Sequence, residues 1–228
     1  MKIGNETITV LKNFASIYSA INVDEKNYLK ILSASENIIG VYETKEDFSD
    51  FAIYDLVQFL GIVSLFDLDK TEFEFIKDEK KDQDYVKIKS NNNIVKYIFT
   101  DKDLIPNIDK ILSAKKYKAL DKFNAFIDIS KENFSKLYKA AQILRVSNMN
   151  IKVKDGKGII TISDPSNPMS NDFKIKVKGE GEGEININVE YLLMLQGDYK
   201  ISIQSDVLMK LSHKDITSLI YFISASKL

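Results

Sequence analysis

The sequence predicts an α+β protein of two β-rich domains, residues 1–108 and 109–228, each with two helices. Three observations carry that prediction. Short segments of apolar–polar alternation, the period of a half-buried strand, recur along the chain. Two longer segments with helical periodicity stand at matching places in the two halves. After each comes a β-rich stretch, a short apolar helix and further strands, so the plan α–βββ–α–βββ occurs twice, with little sequence identity between the halves.

The first helix is expected from about Glu6 to Ser19. Val10, Leu11, Phe14, Ile17 and Tyr18 fall on one side of it, and Thr9, Lys12, Asn13 and Ser16 on the other. A β-rich stretch ends in FAIY (51–54) and leads into DLVQFLGIVSLF, where Asp55 is placed to cap a helix buried through Leu56, Phe59, Leu60 and Val63. Strands follow at 71–76, 85–89 and 94–99, separated by DEKKDQD and SNNN turns. The segment 101–121 carries Pro106, breaks the alternation and reads as an interdomain connector.

The second amphipathic helix spans about Ser130–Arg145, with Ser130 as N-cap and an apolar stripe of Phe134, Leu137, Ala141 and Leu144. Lys131, Ser135, Lys139 and Gln142 lie opposite, with Lys136 and Arg145 on the shoulders. Residues 151–163 are a hairpin turning at Asp155-Gly156. FKIKVK (173–178) and ININ (185–188) flank GEGEG (179–183), which is expected to be a wide hairpin turn. A short apolar helix is expected around Glu190–Leu195, and three strands close the chain.

Composition narrows the function. With 44% hydrophobic and 29% charged residues over 228 positions, the chain has the apolar mass for a real core and is not a disordered tail. The absence of Cys removes disulfides, thiolate metal sites and cysteine nucleophiles. The single His, His213, expected in a loop between strands, leaves no histidine-based metal site and no signalled catalytic triad. GEGEG lacks the Lys-Ser/Thr of a phosphate loop. No carboxylates sit in a paired apolar context, so no enzyme and no cofactor is expected. No apolar run reaches the roughly 18 residues of a membrane span, and the N-terminus lacks an apolar signal core, so a soluble cytosolic protein without a membrane partner is expected.

Net charge is −1, unlike a protein that coats nucleic acid over its whole surface. The halves differ: residues 1–118 carry 17 Lys against 20 acids, and 119–228 carry 15 basic against 13 acidic residues. The Lys-rich face of the helix at 130–145 is the one constellation with physical content. Taken alone it reads as a solvated helix face or as a surface laid against phosphates. Lysine is a flexible point charge suited to non-specific backbone contact, and the face lacks the Arg and Asn array that would read base edges.

Three segments, LKNFASIYSAI (11–21), FAIYDLVQFLGIVSLF (51–66) and QGDYKISI (196–203), resemble stretches of the T-even bacteriophage sliding clamp family. The order of elements is similar over essentially the whole chain. The resemblance implies a DNA clamp fold assembled as a closed homotrimeric ring, and a processivity factor without chemistry of its own. Its implied partners are encircled double-stranded DNA, a DNA polymerase and a clamp loader, in the cytoplasm of an infected bacterial host. On this basis Lys12, Lys131, Lys136, Lys139, Arg145, Lys115 and Lys116 are DNA-facing candidates. Leu104, Ile105 and Ile108 are candidates for the rim of a partner-peptide pocket, or alternatively pin the connector to the sheet. In one respect the sequence departs from the family pattern: the other helices carry little positive charge. A competing reading, a β-rich phage structural protein forming oligomers, leaves the two matched amphipathic helices unexplained.

Overall fold

The structure is a computed structural model and describes residues 1–24, 27–77, 83–106, 108, 122–167 and 169–226. The chain divides into two compact units, Met1–Ala34 with Gly40–Leu112, and Ser35–Ile39 with Ser113–Leu228.

In the first unit, α1 (Asn5–Ile17) buries Thr7, Ile8, Val10, Leu11, Phe14 and Ile17 and leaves Thr9, Lys12 and Ser16 exposed. It is followed by β1 (Ile21–Asp24), β2 (Tyr28–Leu32), β3 (Ile38–Glu43) and β4 (Phe51–Ile53), paired in the order β3–β2–β1–β4. Gly40 is required here: a Cβ on it would sit 2.8 Å from both Phe14 Cε1 and Ile31 Cγ2, so its absence lets Phe14 seat against the sheet. Next comes α2 (Leu56–Val63), capped as expected by Asp55, whose Oδ1 accepts the Gln58 N–H at 2.8 Å. The strands β5 (Glu72–Ile76), β6 (Tyr85–Ser90) and β7 (Asn93–Ile98) form a separate antiparallel sheet. A run of aromatic contacts, with Phe51 stacked on Phe99 at 4.8 Å and Phe59 edge-on to Tyr97 at 5.2 Å, ties β4 and α2 to this sheet.

The N-terminus of α1 is held by one carboxylate. Glu46 accepts from Gly4 N–H (2.6 Å) and from the hydroxyls of Thr7 (2.7 Å) and Thr44. Burial pushes its carboxyl up, but these donors, the Thr44 hydroxyl foremost, outweigh burial and hold it below the usual carboxylate range.

In the second unit, β8 (Ala125–Ile129) leads into α3 (Lys131–Leu144), and β9 (Asn148–Lys154), β10 (Lys157–Ser163), β11 (Phe173–Gly181) and β12 (Gly183–Asn188) follow. After them come β13 (Tyr199–Gln204), β14 (Leu208–His213) and β15 (Leu219–Ser224), giving the order β12–β9–β10–β11–β8–β13–β14–β15. The β9–β10 turn is the expected Asp155-Gly156, both residues at positive φ (52° and 74°), the pairing a two-residue hairpin needs.

Three expectations change. GEGEG is not a hairpin turn: β11 pairs with β10 through Lys178 and then with β8 at Gly179–Gly181, while β12 pairs with β9 on the far side. The glycines serve close approach. Gly181 sits at φ +75°, and a Cβ on it would lie 2.1 Å from the Asn124 carbonyl oxygen. The short helix expected at 190–195 is a single 3-10 turn, Val189–Tyr191, so the second unit has one α-helix among its described residues. His213 is the buried last residue of β14 rather than a loop residue; its Nδ1 accepts the N–H groups of Asp215 and Ile216, both at 3.1 Å.

Most sheet edges are covered. Thr100 N–H donates to Ala52 on β4, Phe73 N–H on β5 to Met1, and Asp206 and Ser226 N–H to Glu184 and Asn186 on β12. Two edges have no backbone partner among the described residues: β7, paired only with β6, and Phe173–Lys178 of β11, paired only with β10. Ile94 (65% exposed) and Ile98 (47%) stand on the first, and Phe173, Ile175 and Val177 are half-buried on the second.

Candidate nucleic-acid interface

The chemistry-bearing surface foreseen from the sequence is the solvent face of α3. Ser130 caps the helix, its Oγ accepting Asn133 N–H at 3.3 Å. A second cap was not foreseen: Asp198 Oδ1 accepts Lys131 N–H at 2.7 Å from the far end of the sequence. Both place partial or full negative charge at the positive end of the helix dipole. Asp198 is positioned by the motif QGDY. Gly197 lies so close to His213 that a Cβ would be 2.2 Å from Nε2. Tyr199 is fully buried, edge-on to His213 at 5.0 Å, with its hydroxyl donating to the Leu195 carbonyl. The ring of Phe134 on α3 lies 6.0 Å from that of Tyr199, so the helix rests on the same tyrosine that follows its cap. In the sequence QGDY shows only turn chemistry before a strand, with nothing local that ties Asp198 to α3.

The buried face of α3 is Phe134, Leu137, Ala140 and Ala141, close to the expected stripe, with Leu144 only half-buried. Lys131, Lys136, Lys139 and Arg145 are all exposed, so the structure brings these four candidates onto one helix and its C-cap. Lys136 is partly neutralised by Glu132 at 2.7 Å, one turn earlier, which holds the Glu132 carboxyl below its usual range. Ile143, 79% exposed among these charges, was not anticipated. Arg145 takes a left-handed backbone at φ 55° to end the helix, a position where glycine is usual. A groove of about 360 Å³ beside it is lined by Tyr138, Gln142, Arg145, Val146 and Glu190.

Lys12 is exposed on α1 of the other unit; Lys115 and Lys116 lie outside the described residues. The exposed positions within α2, Val57, Gln58 and Gly61, carry no charge. Of the three connector candidates, Ile105 (7% exposed) and Ile108 (8%) are buried, Ile105 in a cluster with Ala20 and Ala52, and only Leu104 reaches solvent. No group of three or more His, Asp or Glu side chains able to hold a metal occurs among the described residues. The exposed Lys131, Lys139 and Arg145 of the α3 face offer electrostatic contact to an anion.

The fold is that of the DNA clamps. It superposes on a DNA polymerase III beta subunit from Eubacterium rectale with a TM-score of 0.67 at 13% identity, covering 97% of this chain and 63% of that one. It superposes on proliferating cell nuclear antigen from Entamoeba histolytica with a TM-score of 0.64 at 14% identity, covering 97% and 94%. In sequence the chain is similar to the sliding clamps of bacteriophages, which bears out the resemblance read from its motifs. It is 27% identical to the sliding clamp of Escherichia phage RB69 over 161 residues and 28% identical to that of Enterobacteria phage T4 over 166. Each of these matches covers 70% of this chain and 65% of the relative, just under two thirds of its length. The similarity to the sliding clamp of Vibrio phage KVP40 is 24% over 217 residues, 89% of this chain and 90% of that one. No family model matches.

Proposed function

We propose that this chain is a phage sliding clamp: it encircles duplex DNA, tethers the replicative DNA polymerase there, and performs no chemistry itself. The observation that carries the reading is the similarity in sequence to phage sliding clamps, which for the KVP40 protein runs over 89% of the chain. A helix face whose lysines are mostly unpaired point charges suits this role, because contacts to phosphate have to be weak enough for diffusion along the duplex. Tethering acts through effective concentration: a polymerase held on its template rebinds before it diffuses away. The partners in this reading are double-stranded DNA, the polymerase, a clamp loader that opens the ring, and two further copies of the chain, in the cytoplasm of the infected host.

The free edges support the assembly. Among the described residues each unit leaves one strand edge unpaired, β7 in the first and the N-terminal part of β11 in the second, and an exposed edge of this length invites pairing with another chain. The two edges differ, so their pairing would be head-to-tail, the arrangement that closes into rings. Primer extension on a circular template, with polymerase and loader, tests the function. Lys131→Glu with Lys139→Glu should shorten the products at least tenfold while leaving the fold intact. Products of parental length from this variant would remove α3 from the DNA-facing surface.

A further inference from the structure

The face of the second unit's sheet that lies away from α3 carries a second cationic surface. The alternation in IKVKDGK and FKIKVK buries Ile151, Val153, Ile160 and Ile162 beneath the helix side and turns Lys152, Lys154, Lys157, Lys174, Lys176 and Lys178 to solvent. The register stacks them: Lys157 lies opposite both Lys154 and Lys178, and Ile159 opposite both Lys152 and Lys176. With strands about 4.8 Å apart and alternate residues about 6.7 Å apart, the Cα atoms of the six lysines span about 10 by 13 Å. Two are neutralised, Lys152 by Glu184 at 2.8 Å and Lys174 by Asp172. Lys154, Lys157, Lys176 and Lys178 make no ion pair among the described residues, and the carboxylates of Asp155, Glu180 and Glu182 stand at the margins of the patch. Like charges directly opposite on neighbouring strands are unfavourable, so the cluster is held against local stability.

We propose that this sheet face binds the phosphate backbone of duplex DNA from outside, as a contact that needs no threading through a ring. The patch carries lysines, small polar groups and Ile159, with no aromatic ring on β9 or β10 or on the outward side of β11. At its edge Phe126 of β8 lies opposite Glu180, with Lys200 over its ring at 5.4 Å, and lines a hollow of about 320 Å³ with Lys178. A single strand would need a row of stacking platforms among the lysines, and an acidic protein would need pockets for anchor side chains between them, whereas this hollow lies at the edge of the patch. Uniformly spaced phosphates need neither, only point charges. The inference goes beyond the clamp reading and is carried by different residues.

Covalently closed circular duplex, with no clamp loader and no nucleotide, is the probe. The protein should bind it at 50 mM salt, with a slope of log K against log salt of about −3.6, the value for four neutralised phosphates. Substituting Lys154, Lys157, Lys176 and Lys178 together by Gln should weaken binding at least tenfold, and Arg at the same four positions should restore it. The Gln variant should also keep loader-dependent retention on nicked circles, so failure of the clamp reading would show as loss of that retention by the parental chain, separately from this result. No binding by the parental protein, a loss under tenfold in the Gln variant, or tighter binding of single-stranded DNA or polyglutamate of equal charge would overturn the proposal.

Discussion

Arg145 ends α3 in a left-handed conformation that disfavours a side chain by about 1 kcal/mol. It stands on the exposed face at the same time, so its two roles pull in opposite directions. Arg145→Gly should raise thermal stability by up to about 1 kcal/mol and weaken duplex binding; a melt and a titration on one preparation check both signs. Gly197 is constrained from the other side. A methyl group there collides with the buried His213 ring, so Gly197→Ala should destabilise the second unit by about 1–3 kcal/mol, read by chemical denaturation. Glu46 sets a pH dependence in the first unit. Its folded carboxyl lies below the unfolded range, so the stability it contributes is complete above the unfolded value near 4.3 and disappears as pH falls through the folded one. Glu46→Gln should lower the melting temperature at pH 7, with the difference from the parent shrinking as pH falls below about 5.

At the scale of the element, α3 is defined by two caps from distant places in the chain, Ser130 and Asp198. Removing either side chain, as Ser130→Ala or Asp198→Ala, should cost about 1 kcal/mol, and hydrogen exchange should show the loss first in the N-terminal turn of the helix. The sequence made α3 legible because Phe134, Leu137 and Ala141 keep helical spacing and Ser130 stands at its start. Asp198 was not legible as a cap, since its partner amide lies 67 residues away and no local pattern encodes that distance. GEGEG was misread for a related reason. Glycine between two alternating segments usually marks a turn, whereas here Gly179–Gly181 continue β11 onto β8 past the Asn124 carbonyl. The apolar run after Asn188 shows tertiary context overriding local pattern: it closes one 3-10 turn and then runs irregularly toward the Leu195 backbone, which meets Tyr199 and Tyr221.

For the whole molecule, the doubled element order and the motifs at 11–21, 51–66 and 196–203 carried the clamp fold in advance. The sheet lysines were in plain view as KVKDGK and KIKVK, but alternation alone gives their common face and not the register that stacks Lys154, Lys157 and Lys178 in one row. The free edges of β7 and β11 were illegible, because an edge is defined by which strands fail to pair. They bear on the central claim, that copies of this chain close around DNA. Native mass by light scattering across a dilution series tests it most directly. Three chains of 26.0 kDa closed in a ring should give about 78 kDa, dissociating reversibly on dilution. A mass of one chain at every concentration would contradict it.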